Sequence, residues 1–123
     1  MSRADQEQQP EISGELFFSV DMRVGKIIEA EPFTKARNRA YKLRVDFGPL
    51  GVKRSSAQIT DFYTCESLVG RKVVGVVNLP AKQIADTVSE CLLLGVDAPP
   101  GGVALLGLDE AAGGEIPVGT RVY

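Results

Sequence analysis

The residues of this chain whose types and spacing could do chemistry are its cations. Lys42 and Arg44 alternate with apolar residues over positions 41–47, which is the two-residue period of a half-buried strand with one basic face. Lys53 and Arg54 stand at the start of the next predicted strand. If the two strands pair, several cations gather on one side of the sheet and suit the phosphates of a polyanion. The alternative is a solvated basic surface that binds nothing.

The candidate polyanion ligands include neutral hydrogen-bond donors as well as cations. The cations are Arg37, Arg39, Lys42, Arg44, Lys53, Arg54 and Lys82, and the neutral donors are Ser55, Ser56, Gln58, Asn78 and Ser89. Short polar residues can equally satisfy the backbone of a small barrel, so both interpretations stand for Ser55, Ser56 and Gln58. Asn78 lies in an apolar strand, which favours a hydrogen bond to the backbone over a ligand contact.

Charge is segregated along the sequence. Residues 23–82 hold 12 of the 14 Lys and Arg against five acids (+7), whereas residues 1–22 (one Arg, five acids) carry −4 and residues 83–123 (one Arg, six acids) carry −5. A basic middle between acidic flanks favours a polyanion-binding face on a protein whose net charge is −2.

An enzymatic function finds little support in the sequence. Histidine is absent, which removes the commonest general base and metal ligand at neutral pH. Cys65 and Cys91 are far apart and without a CxxC partner, so both are expected to be reduced, buried and inert. No acid pair has metal-ligand spacing and no GxGxxG or P-loop motif occurs. We therefore expect no catalytic residues, no metal and no cofactor.

Length and apolar content predict one domain in a reducing compartment. A chain of 123 residues can bury a core without staples. Its longest apolar runs are far shorter than the roughly 20 residues of a bilayer span, so no membrane insertion is expected. The polar, acidic N-terminus lacks the apolar stretch of a signal peptide, which predicts a cytoplasmic protein. Residues 1–12 are expected to be loose and residues 13–123 to form the domain.

The remaining patterns indicate mostly short strands. Besides the strand that starts at Lys53, they are predicted at 22–31, with an irregularity at Lys26 and Ile27, and at 41–47, 72–79, 91–96 and 103–108. Thr64 can cap a short helix over Cys65–Val69, and a second helix follows Ser13. About five short strands with one helix between the third and fourth is the order of an OB-fold, a five-stranded Greek-key barrel of the all-β class. An SH3-like barrel is the alternative.

Five segments of the chain resemble CsaA, a family of small protein-export chaperones. The segments are VDMRVGKIIEAEPF (20–33), AYKLRVDFG (40–48), GVKRSSAQIT (51–60), LVGRKVVGVVNLP (68–80) and SECLLLG (89–95). The resemblance runs from about Val20 to the C-terminus, and CsaA is itself similar to the tRNA-binding domains of aminoacyl-tRNA synthetases. It implies an OB-fold homodimer whose terminal extensions, here residues 96–123 and also Glu15–Val20, form the interface. An extra hairpin packed on its own barrel is the alternative for residues 96–123.

The resemblance implies two functions, and the sequence bears on both. One is tRNA binding through a basic barrel face. The sequence departs from the pattern of tRNA-binding relatives in two places. The loop PAKQIADTVSE after the central strand carries one cation where many relatives carry paired cations, and SECL stands where those relatives have Ser-Glu-Gly-Met. The other is chaperone-like binding of unfolded or pre-secretory polypeptides. The candidate peptide ligands are apolar residues without an evident place in the barrel, namely Phe33, Phe62, Leu79 and Ile84, and core packing is the alternative for each.

Overall fold

The computed structural model describes residues 6–99 and 101–123, and its main feature is a nearly closed antiparallel barrel. Five strands form one sheet in the order β3-β2-β1-β4-β7, with every neighbouring pair antiparallel. The strands of this sheet are β1 (Met22–Pro32), β2 (Tyr41–Asp46), β3 (Val52–Ala57), β4 (Lys72–Val76) and β7 (Leu92–Leu93). This order confirms the predicted all-β OB-fold over the SH3-like alternative.

The remaining strands and the helices lie outside the five-stranded sheet. Two hairpins, β5 (Lys82–Ile84) with β6 (Thr87–Ser89) and β8 (Gly95–Asp97) with β9 (Val103–Leu105), lie outside the main sheet. The helices are α1 (Gly14–Phe18), α2 (Cys65–Leu68) and α3 (Glu110–Gly113), and a 3₁₀ turn covers Gly48–Leu50. None of the helices in the described part of the chain is long and apolar enough to cross a membrane.

The barrel closes where β3 meets the residues that lead into β7. The backbone N–H of Glu90 donates to the Arg54 carbonyl at 2.8 Å, and the Ser55 hydroxyl donates to the Cys91 carbonyl at 3.1 Å. We call this junction the seam. Because side-chain bonds as well as a backbone bond join β3 to residues 90–91, the seam depends on individual side chains more than a regular ladder does.

Strand β1 pairs with two different strands along its length, and an irregularity interrupts its register. Its first part, Met22–Lys26, pairs with β4, and residues from Lys26 onward pair with β2. The register shifts between Ile27 and Glu29. The predicted irregularity at Lys26 and Ile27 was therefore one residue early, since the period of two locates a bulge only approximately.

The core follows from the alternation seen in the sequence. Leu43, Val45 and Ile27 are at most 2% exposed and pack around Phe47, which is fully buried. Leu68 of α2 joins this core, so the helix packs against the barrel through that side chain. The predicted helix over Cys65–Val69 is confirmed with its Thr64 cap, except that Val69 is the C-cap.

The C-terminal segment packs largely on its own barrel. The predicted strand 91–96 is split into β7 and β8, and the strand predicted at 103–108 ends at Leu105 as β9, whose residues Val103 and Leu105 contact the core. Farther on, Gly119 and Val122 donate backbone N–H groups to the Val24 and Met22 carbonyls of β1. Within one chain, much of the predicted interface segment therefore already has partners.

The hairpin of β5 and β6 is missing from the sequence prediction. Its turn places Ala85 at φ 49°, a left-handed conformation that alanine rarely adopts, so no glycine marks the turn in the sequence. The loop that we expected after the central strand is thus a structured arm, which carries Lys82, Ile84 and Asp86.

Candidate nucleic-acid interface

The outer face of β2 and β3 carries the cations that the alternation predicted. Lys42 and Arg44 lie on the opposite side of β2 from the buried Leu43 and Val45. In the register with β3, Arg44 faces Arg54 directly. We define the cationic face as Lys42, Arg44 and Arg54 together with the loop 33–40 and the β5–β6 hairpin.

Two carboxylates flank the facing arginines. Arg44 pairs with Glu29 at 3.2 Å and Arg54 with Glu90 at 3.0 Å, so the charges run acid, cation, cation, acid across the sheet. The Arg54 backbone N–H and then its guanidinium lower the pKa of the Glu90 carboxyl. The two acids offset the repulsion between the arginines, which directly opposed like charges would otherwise feel.

The hairpin brings a further acid to the cationic face. Asp86 lies 3.2 Å from the Lys42 ammonium and 3.7 Å from that of Lys35. Desolvation raises the pKa of Asp86, but the bond from Lys42 and the charges of both lysines outweigh it, so the pKa is lowered. The Lys42 ammonium also lies 5.0 Å from the centre of the Phe33 ring, within the range of a cation–π contact.

The charge segregation seen along the sequence is therefore reduced in space. Asp86, Glu90 and Glu110 belong to the acidic C-terminal flank, and they pair with Lys42, Arg54 and Lys72 of the basic middle. A count of charges along the sequence could not reveal these ion pairs, because Arg54 and Glu90 are 36 positions apart and Lys72 and Glu110 are 38 positions apart.

Three cations of the face keep their charge uncompensated. Within the described residues, Arg37, Arg39 and Lys82 form no ion pair, and all three are exposed. Arg37 and Arg39 lie in the loop between β1 and β2, whereas Lys82 begins β5. These side chains can meet an anion without first giving up a carboxylate.

Lys53 and Arg54, which we predicted together, lie on opposite faces of β3. Lys53 is opposite Val45 in the register and shares the parity of Ser55, which is 3% exposed. Arg54 points outward with Arg44. Lys53 is accordingly half-buried on the interior side of the strand, because successive strand residues alternate between faces.

Three of the predicted neutral ligands are used by the fold. Ser55 and Ser89 both donate to the Cys91 carbonyl, at 3.1 and 3.2 Å, and Ser55 has almost no surface left for RNA. The Asn78 amide accepts from the Asp21 backbone N–H at 2.9 Å and donates to the Ser19 carbonyl at 2.7 Å. Asn78 thus fixes the connection between α1 and β1, as the backbone interpretation expected.

A pocket of about 360 Å³ lies beside the cationic face, and we call it the barrel pocket. It brings together five predicted RNA or peptide ligands, namely Phe33, Arg37, Ser56, Gln58 and Ile84. The other lining residues are Ala36, Asn38, Ala40, Ala57, Ile59, Leu92, Leu93, Val103 and Leu105. Most of this wall is apolar.

The remaining predicted peptide ligands lie elsewhere. Phe62 and Leu79 are 46% and 49% exposed and do not line the barrel pocket. Phe33, in contrast, is 4% exposed, so it does have a place in the barrel. Sequence reasoning missed Asn38 and Leu92; Asn38 stands between two arginines in the segment ARNR, a signal that could have drawn attention to it.

The cysteine and acidic side chains near the site bear on whether it could hold a nucleophile or a metal ion. Burial raises the pKa of the Cys91 thiol to about 11, which keeps it protonated at neutral pH. Among the residues that the structure describes, no cluster of three or more His, Cys, Asp or Glu side chains could hold a metal ion. What the arrangement offers is binding through cations, amides and an apolar pocket.

An OB barrel with a cationic face beside a mostly apolar pocket is typical of the class of nucleic-acid-binding OB-fold domains. Residues 22–120 match the family model described as a putative tRNA binding domain. The crystal structure of the chaperone CsaA from Bacillus anthracis is 42% identical, with a TM-score of 0.83, and the match covers 93% of this chain and all of that one. The chain therefore belongs to the CsaA family of tRNA-binding-type domains.

Two further relatives fit this assignment. The CsaA chaperone structure from Picrophilus torridus is 43% identical with a TM-score of 0.82, over 92% of this chain and all of that one. A methionine–tRNA ligase from Bacillus subtilis is 35% identical over 113 residues, which are 92% of this chain and 16% of the ligase. The chain thus spans a small part of the length of the synthetases that it matches.

Proposed function

We propose that this protein is a non-catalytic tRNA-binding homodimer of the cytoplasm that binds RNA through the cationic face. The observation that carries this proposal is the set of uncompensated cations on the cationic face, Arg37, Arg39 and Lys82, in a member of a tRNA-binding family. Phosphate contacts dominate the affinity of proteins for nucleic acids, and structured RNA is recognised largely by shape.

The paired cations of the face can also contribute. Arg44 and Glu29 have side chains that are 55% and 68% exposed, and an exposed ion pair is worth at most about 1 kcal/mol. A phosphate can therefore replace the carboxylate at little cost. Lys35 and Lys42 share the single carboxylate of Asp86, so this group of charges stays positive.

The test is the salt dependence of tRNA binding, measured by fluorescence anisotropy with unfractionated tRNA. We expect the affinity to fall steeply with salt, and Arg37→Ala and Lys82→Ala each to reduce the slope of log affinity against log salt by about 1. Lys26→Ala is the matched control, because Lys26 lies outside the cationic face in a cleft with Lys72 and Glu110. Binding that is insensitive to salt, or equal effects of all three variants, would contradict the proposal.

The homodimer is supported by exposed apolar residues near the N-terminus. Leu16 and Phe18 of α1 are 56% and 52% exposed, and Ile12 is 55% exposed. Arg121 and Asn78 both bind carbonyls at the end of this helix, which fixes it beside the barrel. A self-complementary two-fold contact would bury these side chains.

Light scattering tests the assembly directly. We expect a solution mass of about twice the 13.2 kDa of the chain, and a monomer for the variant Leu16→Lys with Phe18→Lys. Truncation after Gly95 would be a poor test, because it also removes the residues that pair with β1. A monomeric parent protein would refute the dimer.

Chaperone-like binding of unfolded polypeptides is the second candidate function. The apolar wall of the barrel pocket favours it, and two solved relatives are described as chaperones. Such binding should persist at high salt, because hydrophobic association is not screened as exposed charges are. Suppression of the aggregation of an unfolded client at high salt, by the parent protein and by Arg37→Ala alike, would support it.

A further inference from the structure

The barrel pocket is lined by both apolar and polar residues. Phe33, Ile84 and Leu105 supply apolar surface, and Asn38, Ser56 and Gln58 line the pocket together with Arg37. The volume of about 360 Å³ is at the lower end of the range of small-ligand sites, roughly 300–1,000 Å³. A planar group of one or two rings suits this space better than a chain of several side chains.

The polar side chains that line the pocket are not used by the fold. Within the described residues, the side chains of Asn38, Ser56 and Gln58 have no hydrogen-bond partner, whereas Ser55, Asn78 and Ser89 are all engaged. A carboxamide offers both a donor and an acceptor, and a nucleobase edge presents the same pair of groups. An apolar side chain in the pocket would satisfy none of them.

Arg37 suggests how a nucleotide would be oriented in the barrel pocket. It lines the barrel pocket and carries no ion pair within the described residues, so a phosphate can approach it while the attached base points inward. A second cleft adjoins the pocket through Asn38 and Gln58, and there Arg39 is outnumbered by the carboxylates of Asp61 and Asp97. Two carboxylates there disfavour a phosphate and leave Arg37 as the anchor for the backbone.

We propose that the barrel pocket receives one unstacked nucleobase of the bound RNA, with the carboxamides of Asn38 and Gln58 at its edge and Arg37 on the adjoining phosphate. This inference rests on the proposed RNA binding and adds the kind of RNA that is bound, namely one with an unpaired nucleotide in a loop or at an end. Single-stranded bases are the parts of RNA that proteins read by stacking and edge contacts.

The probe is a single-stranded RNA hexamer of adenosines in which one residue is 2-aminopurine, an adenine analogue whose fluorescence rises when it leaves the base stack. We expect the full chain to raise its emission. Ala36→Phe fills the pocket, so it should abolish the rise and weaken binding about tenfold, because the base that the pocket would hold is excluded. Ala81→Phe, at an exposed position outside the pocket, is the matched control.

A second variant tests whether the barrel pocket binds a nucleobase or an apolar peptide. Gln58→Leu keeps the volume of the exposed side chain but removes its amide, so it should weaken binding of the hexamer several-fold and leave binding of an apolar peptide unchanged or stronger. A hexamer with an abasic site in place of 2-aminopurine should lose the same affinity as Ala36→Phe loses. Thermal unfolding of each variant checks that the fold is retained.

The outcomes distinguish the two proposals. If tRNA binding keeps its dependence on Arg37 while Ala36→Phe, Gln58→Leu and the abasic hexamer have no effect, the base pocket is refuted and the RNA-binding function stands. If Gln58→Leu strengthens peptide binding and Ala36→Phe abolishes it with RNA binding intact, the pocket belongs to polypeptide. If the parent protein binds no RNA, both proposals fail.

Discussion

Arg54 donates both its backbone N–H and its guanidinium Nε to one oxygen of Glu90, Oε1, at 2.9 and 3.0 Å. The Glu90 backbone N–H returns a bond to the Arg54 carbonyl at 2.8 Å. These three bonds span the seam, where β3 meets the residues before β7. Arg54 therefore has a structural role in addition to the RNA contact that its charge suggests.

The pH dependence of stability should reveal this pair. The Arg54 backbone N–H, followed by its guanidinium, lowers the pKa of Glu90 below its ordinary 4.5. A lowered pKa stabilises the fold above the unfolded-state value and loses that effect as pH falls through the folded-state value. We expect Glu90→Gln to cost about 1 kcal/mol of unfolding free energy at pH 7, and the difference from the parent to shrink below about pH 4.5.

Urea unfolding at pH 7 and at pH 3.5 measures both quantities, with the exposed Glu115→Gln as a control that should cost little at either pH. A difference between Glu90→Gln and the parent that is the same at both pH values would show that the carboxylate does not stabilise the seam.

Opposite substitutions in the Arg44 and Glu29 pair should change tRNA affinity in opposite directions. Arg44→Glu removes a cation and adds an anion, so the slope of log affinity against log salt should fall by about 2 and the affinity about tenfold or more. Glu29→Gln frees Arg44 from its 3.2 Å partner and should raise the affinity. Anisotropy titrations of the folded variants measure this, and an unchanged slope for both would place the RNA elsewhere.

Core packing around Phe47 predicts a severe effect at a glycine of β4. A Cβ added at Gly75 would lie 2.8 Å from Cζ of the fully buried Phe47 ring, so Gly75→Ala should destabilise the protein by about 1–3 kcal/mol. Gly14→Ala in α1 is the control, because nothing lies within 4 Å of its added Cβ. Thermal unfolding compares them, and equal melting temperatures would be inconsistent with this close approach.

The turn of the β5–β6 hairpin should be improved by glycine. Ala85 has φ 49°, in the left-handed region, where an L side chain is strained by about 1–2 kcal/mol. Ala85→Gly relieves that strain but gains freedom in the unfolded chain, so the net stabilisation should be about 0.5–1 kcal/mol. Ala81→Gly, outside the hairpin, should give no gain in urea unfolding; a comparable gain there would mean that Ala85 is not strained.

Local patterns predicted the elements of the barrel, and contacts between distant residues determined the site. The alternation at 41–47 predicted β2 and its basic face, and Thr64 predicted the start of α2, because both depend on neighbouring residues. The partnership of Lys42 with Asp86 could not be predicted, because it requires the hairpin, whose turn has alanine where glycine is usual. The two faces of β3 could have been assigned: the parity of Lys53 with Ser55 is visible in the sequence.

The first part of β1, Met22–Lys26, lies between β4 on one edge and the C-terminal residues on the other, where Arg23 donates to the Gly119 carbonyl across 96 positions of sequence. Pairings of such separation form late in folding, because the chain loses loop entropy before the contacts compensate for it. We expect the barrel to fold in milliseconds to seconds, as other proteins dominated by non-local strand pairing do. Until the last strand docks, one edge of β1 is open, and this is the interval in which two nascent copies can exchange strands or aggregate.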